Sequence, residues 1–297
     1  MKWRTWLALA GLAFGASMLL SGCQTKASQD KGLQVVASVD FYGEVAKAVV
    51  GTHGTVTSVI DKLDVDPHDY EPTTEVAKTV ANADIVIDNG GGYDSWMTKL
   101  IAADSGNTTT VTAAKVVGIK DGENEHIWYK PDVMPKMATA LAKAFGQRDP
   151  AHKQAYADNA AAYIKKLQPL LKQIDALKAR AVGQKVAVSE PVFSNALSYL
   201  GYTIVNDHFA QAVEESTDPS PKDIRALEAQ IQGKQIAFFV QNTQVESKIV
   251  TNIVKQVRAA GIPVLQVTET MPAGKTYTSW MTAQYNQLKA IQTKQGD

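Results

Sequence analysis

Strand-length apolar runs alternate with helix-length stretches along most of this chain. The runs occupy residues 33–39, 55–60, 83–88 and 109–112 in the first half, and 185–189, 203–205, 235–240 and 263–267 in the second. Such alternation is typical of mainly parallel sheets, because two parallel neighbours are joined by a crossover, usually a helix. The sequence therefore predicts an α/β fold with two lobes, each a mainly parallel sheet flanked by helices.

A long helical pattern separates the two halves. Residues 149–180 are rich in Ala, Lys, Gln and Leu, and a helix of about 30 residues would be about 45 Å long. We therefore expect a rigid spine, the linking helix at 149–182, between an N-terminal lobe at 33–148 and a C-terminal lobe at 183–297. Ligands of open α/β sheets bind at the carboxyl ends of the strands, which places the predicted ligand site in the cleft between the lobes.

The first 22 residues have the pattern of a secretory signal peptide, with Lys2 and Arg4 ahead of an apolar run. The only cysteine ends this segment in Leu-Ser-Gly-Cys23, which resembles the lipobox of bacterial lipoproteins. The resemblance implies lipidation of Cys23, a flexible tether at 23–32, and a place on the extracytoplasmic face of the cell membrane. The alternative is an ordinary signal peptide with a chance cysteine.

The charge balance excludes one class of partner. The 30 Lys and Arg residues equal the 30 Asp and Glu residues in number, whereas nucleic-acid binding needs a basic face. We therefore expect no nucleic-acid partner.

Four side chains that could bind a metal follow predicted strands, two in each half. His68 and His126 lie in loops of the first half, and Glu190 and Glu269 come directly after apolar runs of the second. Two imidazoles and two carboxylates can hold a divalent first-row metal. The spacing alone is too wide to match a local metal motif. His208 is the main rival for the third ligand position.

Several segments together resemble the metal-binding solute-binding lipoproteins of ABC importers for zinc and manganese, the cluster A-I (cluster 9) family. The segment 83–100, with its Asn-Gly-Gly-Gly turn, is similar to the strand–turn–helix signature of that family. The similarity continues through Pro-His-Asp-Tyr-Glu-Pro at 67–72, Glu-His-Ile-Trp at 125–128, Ser-Glu-Pro-Val-Phe at 189–193, Asp-Pro-Ser-Pro-Lys-Asp-Ile at 218–224 and Thr-Glu-Thr at 268–270.

This resemblance implies both a ligand set and a function. The family's ligand positions fall on His68, His126, Glu190 and Glu269. Many members carry Asp at the fourth position, so Glu269 is one methylene longer. The function implied is that of a monomeric binding protein, not an enzyme, which captures one divalent metal and delivers it to an ABC permease with its cytoplasmic ATPase.

The cargo metal and two other functions stay open from the sequence. Two carboxylates favour Mn²⁺, and residues 101–125 lack the histidines that zinc-uptake members often carry there, but the Irving–Williams order favours Zn²⁺ in an isolated site. A surface adhesin that the metal merely stabilises is one alternative function. An extracellular metal-dependent hydrolase is another, although neither His-Glu-x-x-His nor Gly-x-Ser-x-Gly occurs in the sequence.

Overall fold

The computed structural model describes residues 32–63, 65–103, 106, 108–120, 122–181 and 183–296. The predicted signal peptide, Cys23 and all but the last residue of the predicted tether lie outside the described residues. Within the described part, no helix has the length and apolar character needed to cross a membrane.

The first half contains a four-stranded parallel sheet. Its elements are β1 Leu33–Val39, α1 Asp40–Val50, β2 Gly54–Ile60, α2 Thr74–Ala81, β3 Ile85–Asp88, α3 Ser95–Ala102, β4 Thr109–Thr112, α4 Ala113–Val117 and α5 Val133–Arg148. The strand order is β2-β1-β3-β4, and every pair is parallel. β3 is buried along its whole length, as expected for a central strand covered by helices on both faces.

The long helix α6 spans Lys153–Lys178 and follows a short 3₁₀ turn at Pro150–His152. Its buried side chains recur every three, four or seven residues, as in a helix with one apolar face; they are Tyr156, Ala160, Tyr163, Leu167, Leu170, Ile174 and Leu177. At 1.5 Å per residue its 26 residues span about 39 Å. The predicted long helix is confirmed, although its α-helical part begins later than the sequence pattern indicated.

The second half repeats the architecture of the first. Its elements are β5 Lys185–Val188, α7 Ser194–Leu200, β6 Thr203–Ile204, α8 Asp207–Glu214, α9 Pro221–Gln232, β7 Phe239–Asn242, α10 Lys248–Ala259, β8 Val264–Val267 and α11 Tyr277–Gly296. The strand order is β6-β5-β7-β8, again with every pair parallel. The predicted fold of two parallel α/β lobes is therefore confirmed.

Two details of the second sheet differ from the sequence prediction. The strand expected at 235–240 is β7, which begins at Phe239 and continues to Asn242. Asn242 therefore lies at the carboxyl end of the sheet. The sequence pattern also gave no helix at 207–214, where the structure has α8.

Hydrogen bonds from buried aromatic residues join the two lobes beneath their cleft. The Tyr129 hydroxyl donates to the Thr268 carbonyl oxygen at 2.6 Å, and the Tyr277 hydroxyl donates to the Trp128 carbonyl oxygen at 2.6 Å. The rings of Tyr129 and Phe193 also pack edge to face across the same junction, with centroids 4.9 Å apart. These contacts hold the two lobes against each other.

Candidate metal centre

His68 lies in the loop between β2 and α2. Its backbone N–H donates to Asp66 Oδ1 at 2.8 Å, which makes a local turn. Its ring lies edge-on to the Tyr93 ring, with centroids 5.0 Å apart. This packing leaves 27% of the side chain exposed and directs Nε2 toward the second lobe.

The glycine-rich turn after β3 positions Tyr93 against His68. Gly90, Gly91 and Gly92 all have positive φ, at 71°, 68° and 104°, a region that only glycine enters readily. The buried Asp94 carboxylate accepts from the backbone N–H groups of Asn89 at 2.7 Å and Gly90 at 2.9 Å. These hydrogen bonds hold the turn in place, and the turn holds the Tyr93 ring against His68.

His126 is fully buried and directly precedes a 3₁₀ turn at Ile127–Tyr129. Its Nδ1 lies 3.2 Å from Asn124 Oδ1. The Asn124 amide orientation follows from its other contacts, since Oδ1 accepts the His126 backbone N–H at 2.9 Å and Nδ2 donates to the Pro191 carbonyl oxygen at 2.8 Å. An oxygen facing Nδ1 assigns the proton of the neutral ring to Nδ1. The lone pair is then on Nε2, which faces the cleft.

Glu269, the predicted ligand that follows β8, brings a carboxylate of the second lobe close to both imidazoles. Its Oε1 lies 3.7 Å from His68 Nε2, and one ligand atom from each of His68, His126 and Glu269 lies within 4.8 Å of the other two. The Glu269 backbone N–H donates to Gln244 Oε1 at 2.6 Å, and Gln244 Nε2 donates to the Leu63 carbonyl oxygen at 2.6 Å. Gln244 thus ties the Glu269 loop to the first lobe.

Glu190, the fourth predicted ligand, follows β5 and lines the same cavity as Glu269. Its Oε2 accepts a hydrogen bond from Asn242 Nδ2 at 2.7 Å. Burial, followed by the negative charge of Glu214, raises the pKa of the Glu190 carboxyl to about 8. The structure therefore brings Glu190 to the wall of the site, where it is bonded to Asn242. Among the described residues it is not part of the trio with close ligand atoms.

Glu214, which the sequence analysis missed, lies between the two imidazoles. It is the last residue of α8, and its Oε1 is 3.3 Å from His68 Nε2 and 3.2 Å from His126 Nε2. Only 8% of its side chain is exposed. One sequence signal could have indicated the short helix that carries Glu214, namely the helical spacing of the apolar residues Phe209, Ala210 and Val213. His208, the rival ligand, is exposed on the same helix and lines a separate cavity.

The charges in this group shift one another strongly. Burial lowers the pKa of His68, but the contact with Glu214 and the charges of Glu269 and Glu214 outweigh burial and raise it to about 9. Burial raises the pKa of the Glu214 carboxyl, but the contacts with His126 and His68 outweigh burial and lower it to about 2. Burial is the main cause of the raised pKa of Glu269. In the metal-free protein, protons therefore compensate the carboxylates.

A cavity of about 880 Å³ connects this group of side chains to solvent. Its lining holds six carboxylate side chains and one lysine; they are Asp66, Glu190, Glu214, Asp218, Glu246, Glu269 and Lys248. A cleft lined by one sign of charge raises the local concentration of the opposite ion. The approach to the imidazoles therefore favours cations.

The geometry of the group suits a divalent transition metal. Bonds of about 2.1 Å to imidazole nitrogen and carboxylate oxygen place neighbouring ligand atoms about 3 to 3.5 Å apart. The observed separations between the His68, His126, Glu214 and Glu269 ligand atoms include 3.2, 3.3 and 3.7 Å. The fold and the site together define a two-lobed protein of the metal-binding class.

Comparison with known proteins identifies the family. The family model for zinc-uptake complex component A, a periplasmic protein, matches residues 35–291, and the chain belongs to this family. The predicted membership among substrate-binding proteins of metal ABC importers is confirmed.

The named relatives are all metal-binding lipoproteins or substrate-binding lipoproteins of ABC transporters, but their names refer to different metals. The chain is 28% identical over 166 residues to the manganese-binding lipoprotein MntA of Halalkalibacterium halodurans, covering 52% of this chain and only about half, 54%, of that protein. It is 25% identical over 264 residues to the metal ABC transporter substrate-binding lipoprotein SloC of Streptococcus mutans, covering 82% and 83%. It is 26% identical over 272 residues to the iron ABC transporter substrate-binding lipoprotein MtsA of Streptococcus pyogenes, covering 85% of each.

Solved structures share the fold. The periplasmic zinc-binding protein TroA of Treponema pallidum superposes with a TM-score of 0.71 at 17% identity, covering 88% of this chain and 99% of that one. FpvC of Pseudomonas aeruginosa, in complex with Mn²⁺, superposes with a TM-score of 0.72 at 22% identity, covering 89% and 100%.

Proposed function

We propose that this protein captures one divalent transition metal between its two lobes and delivers it to an ABC permease for import. The observation that carries this proposal is the convergence of His68 and His126 of the first lobe with the Glu269 carboxylate of the second, one ligand atom of each lying within 4.8 Å of the other two. Membership of the zinc-uptake component A family supports the transport role.

Within this function we assign the cargo ligands to His68, His126, Glu190 and Glu269. His68 and His126 come from the first lobe, and both glutamates follow strands of the second. The imidazoles supply nitrogen lone pairs, and the carboxylates neutralise the cation. The Glu190 carboxylate accepts a hydrogen bond from Asn242. To bind the metal, its side chain has to rotate toward the imidazoles.

We assign manganese rather than zinc as the physiological cargo. Carboxylate oxygens suit Mn²⁺, whereas imidazole suits Zn²⁺, and this site has several buried carboxylates beside only two imidazoles. The names of the relatives MntA and MtsA refer to manganese and iron. The isolated protein is still expected to bind Zn²⁺ strongly, because Zn²⁺ lies above Mn²⁺ in the Irving–Williams order.

The cellular setting completes the proposal. We place the protein on the extracytoplasmic face of the cell membrane, as a monomer anchored through lipidated Cys23, and its partner is the permease with the cytoplasmic ATPase. The relatives MntA, SloC and MtsA are named lipoproteins, which supports the anchor.

The test is metal binding by the full chain in detergent. The chain is stripped with chelator, offered Mn²⁺ and Zn²⁺ separately and together, and its bound metal is quantified by mass spectrometry. We expect one metal per chain, lost in His68→Ala and retained in His208→Ala, whose exposed imidazole lies outside the site. Absence of stoichiometric metal, or full binding by His68→Ala, would refute the proposal.

A further inference from the structure

Glu214 occupies the position closest to both imidazoles. Its Oε1 is within 3.3 Å of His68 Nε2 and within 3.2 Å of His126 Nε2. Glu190 bonds to Asn242 instead. A carboxylate from α8, an element that carries none of the four assigned ligands, therefore lies where a metal bound to both rings would meet it.

The chemistry of these atoms calls for a cation between them. Asn124 assigns the proton of the neutral His126 ring to Nδ1, so its Nε2 presents a lone pair to a carboxylate oxygen. Buried atoms without a hydrogen-bond partner among the described residues include both imidazole Nε2 atoms and the Oε1 atoms of Glu214 and Glu269. Acceptor atoms packed in this way repel one another unless a positive charge joins them. Protons supply that charge in the metal-free protein, and a metal bound to both rings would replace them.

We propose that Glu214 is a further ligand of the cargo metal and that it biases the site toward Mn²⁺ over Zn²⁺. This inference rests on the proposed metal-binding function and extends its ligand set to two nitrogens and three carboxylates. The C-terminal end of α8 thereby becomes a metal-contacting element of the second lobe.

The bias follows from coordination number. Zn²⁺ in protein sites is satisfied by four ligands in a tetrahedron, whereas Mn²⁺ prefers a larger, oxygen-rich set that approaches an octahedron. The two imidazoles, Glu190 and Glu269 already supply four ligands. Glu214 adds an oxygen that Mn²⁺ uses and that tetrahedral Zn²⁺ does not require. Removing it costs Mn²⁺ more than Zn²⁺.

The test compares Glu214→Gln with Glu215→Gln in the full chain in detergent. Gln keeps the shape of Glu214 and removes its charge, and Glu215 is the adjacent exposed carboxylate, so the control changes the net charge equally. Dissociation constants are measured for Mn²⁺ and Zn²⁺, and the visible spectrum is recorded with Co²⁺, whose absorption is stronger in four-coordinate than in five- or six-coordinate sites.

We expect Glu214→Gln to weaken Mn²⁺ binding by at least about tenfold, to weaken Zn²⁺ binding by less, and to strengthen the Co²⁺ absorption, with Glu215→Gln unchanged. Glu214→Asp, which keeps the charge on a shorter arm, restores part of the Mn²⁺ affinity. Circular dichroism confirms that each variant is folded.

The outcomes separate this inference from the function on which it rests. If Glu214→Gln retains both affinities and the Co²⁺ spectrum while His68→Ala loses the metal, Glu214 is not a ligand and the proposed function stands. If His68→Ala also retains the metal, the proposed function fails and this inference fails with it. If Glu214→Gln lowers the Mn²⁺ and Zn²⁺ affinities equally, the inference that Glu214 biases the site toward Mn²⁺ is wrong.

Discussion

Metal affinity should fall steeply as the pH is lowered from 8 to 6. In the metal-free protein the pKa of His68 is about 9, so this ring carries an extra proton throughout that range. A metal ligand has to be deprotonated, so metal binding expels this proton. Below the raised pKa, each such proton costs about tenfold in affinity for every pH unit.

The number of protons sets the size of the effect. His68 alone gives about a hundredfold loss between pH 8 and pH 6. Burial lowers the pKa of His126, but the contact with Glu214 and the charges of Glu214 and Glu269 outweigh burial and raise it, so protonation of this second ring adds to the loss. The logarithm of the dissociation constant is therefore expected to change by at least about one per pH unit between pH 8 and pH 6.

Isothermal titration calorimetry with Mn²⁺ measures both quantities. Titrations at pH 6, 7 and 8, in buffers of different ionisation enthalpy, give the affinity and the number of protons released. His208→Ala is the matched control, since it removes an exposed imidazole outside the site and should leave slope and proton count unchanged. A flat affinity across this range, or binding without proton release, would show that the imidazoles are not held protonated by the neighbouring carboxylates.

Two further predictions concern support of the site and stability. Asn124→Ala removes the acceptor at His126 Nδ1 and the bond to the Pro191 carbonyl oxygen, so competition with a chelator should show about a 10- to 100-fold loss of metal affinity; unchanged affinity would contradict the role assigned to Asn124. Metal at a thousand times its dissociation constant should raise the free energy of unfolding by about 4 kcal/mol in chemical denaturation, and the increase should disappear in His68→Ala; an equal increase in that variant would place the metal elsewhere.

The sequence predicted the fold well because its signals were local and repeated. Each strand of the first sheet is a short run rich in β-branched residues, and shortness together with β-branching favours a strand over a helix. The apolar spacing along α6 persists over 26 residues. The helix was therefore predictable even though single positions within it, such as Pro169, disfavour a helix. The conclusion that the strands are parallel then followed from the helix-length connections.

Glu214 escaped prediction because its placement depends on tertiary structure. α8 has only eight residues, and so short a helix depends on packing rather than on intrinsic propensity. The helix ends at Glu214, and a second glutamate follows it directly. Nothing local distinguishes Glu214, whose side chain is 8% exposed, from the exposed Glu215. Only the docking of α8 against the cleft brings one of them to the imidazoles.

Contacts between the lobes link the holding and the release of the cargo to the arrangement of the lobes. Asn124 supports His126 of the first lobe while bonding to Asn195 and Pro191 of the second. Gln244 supports the Glu269 loop of the second lobe while bonding to Leu63 of the first. Each bridge joins a proposed ligand to the opposite lobe, so even a small shift between the lobes changes the distances between ligand atoms. A permease that binds more tightly to the shifted arrangement would lower the affinity for the metal by that difference in binding free energy.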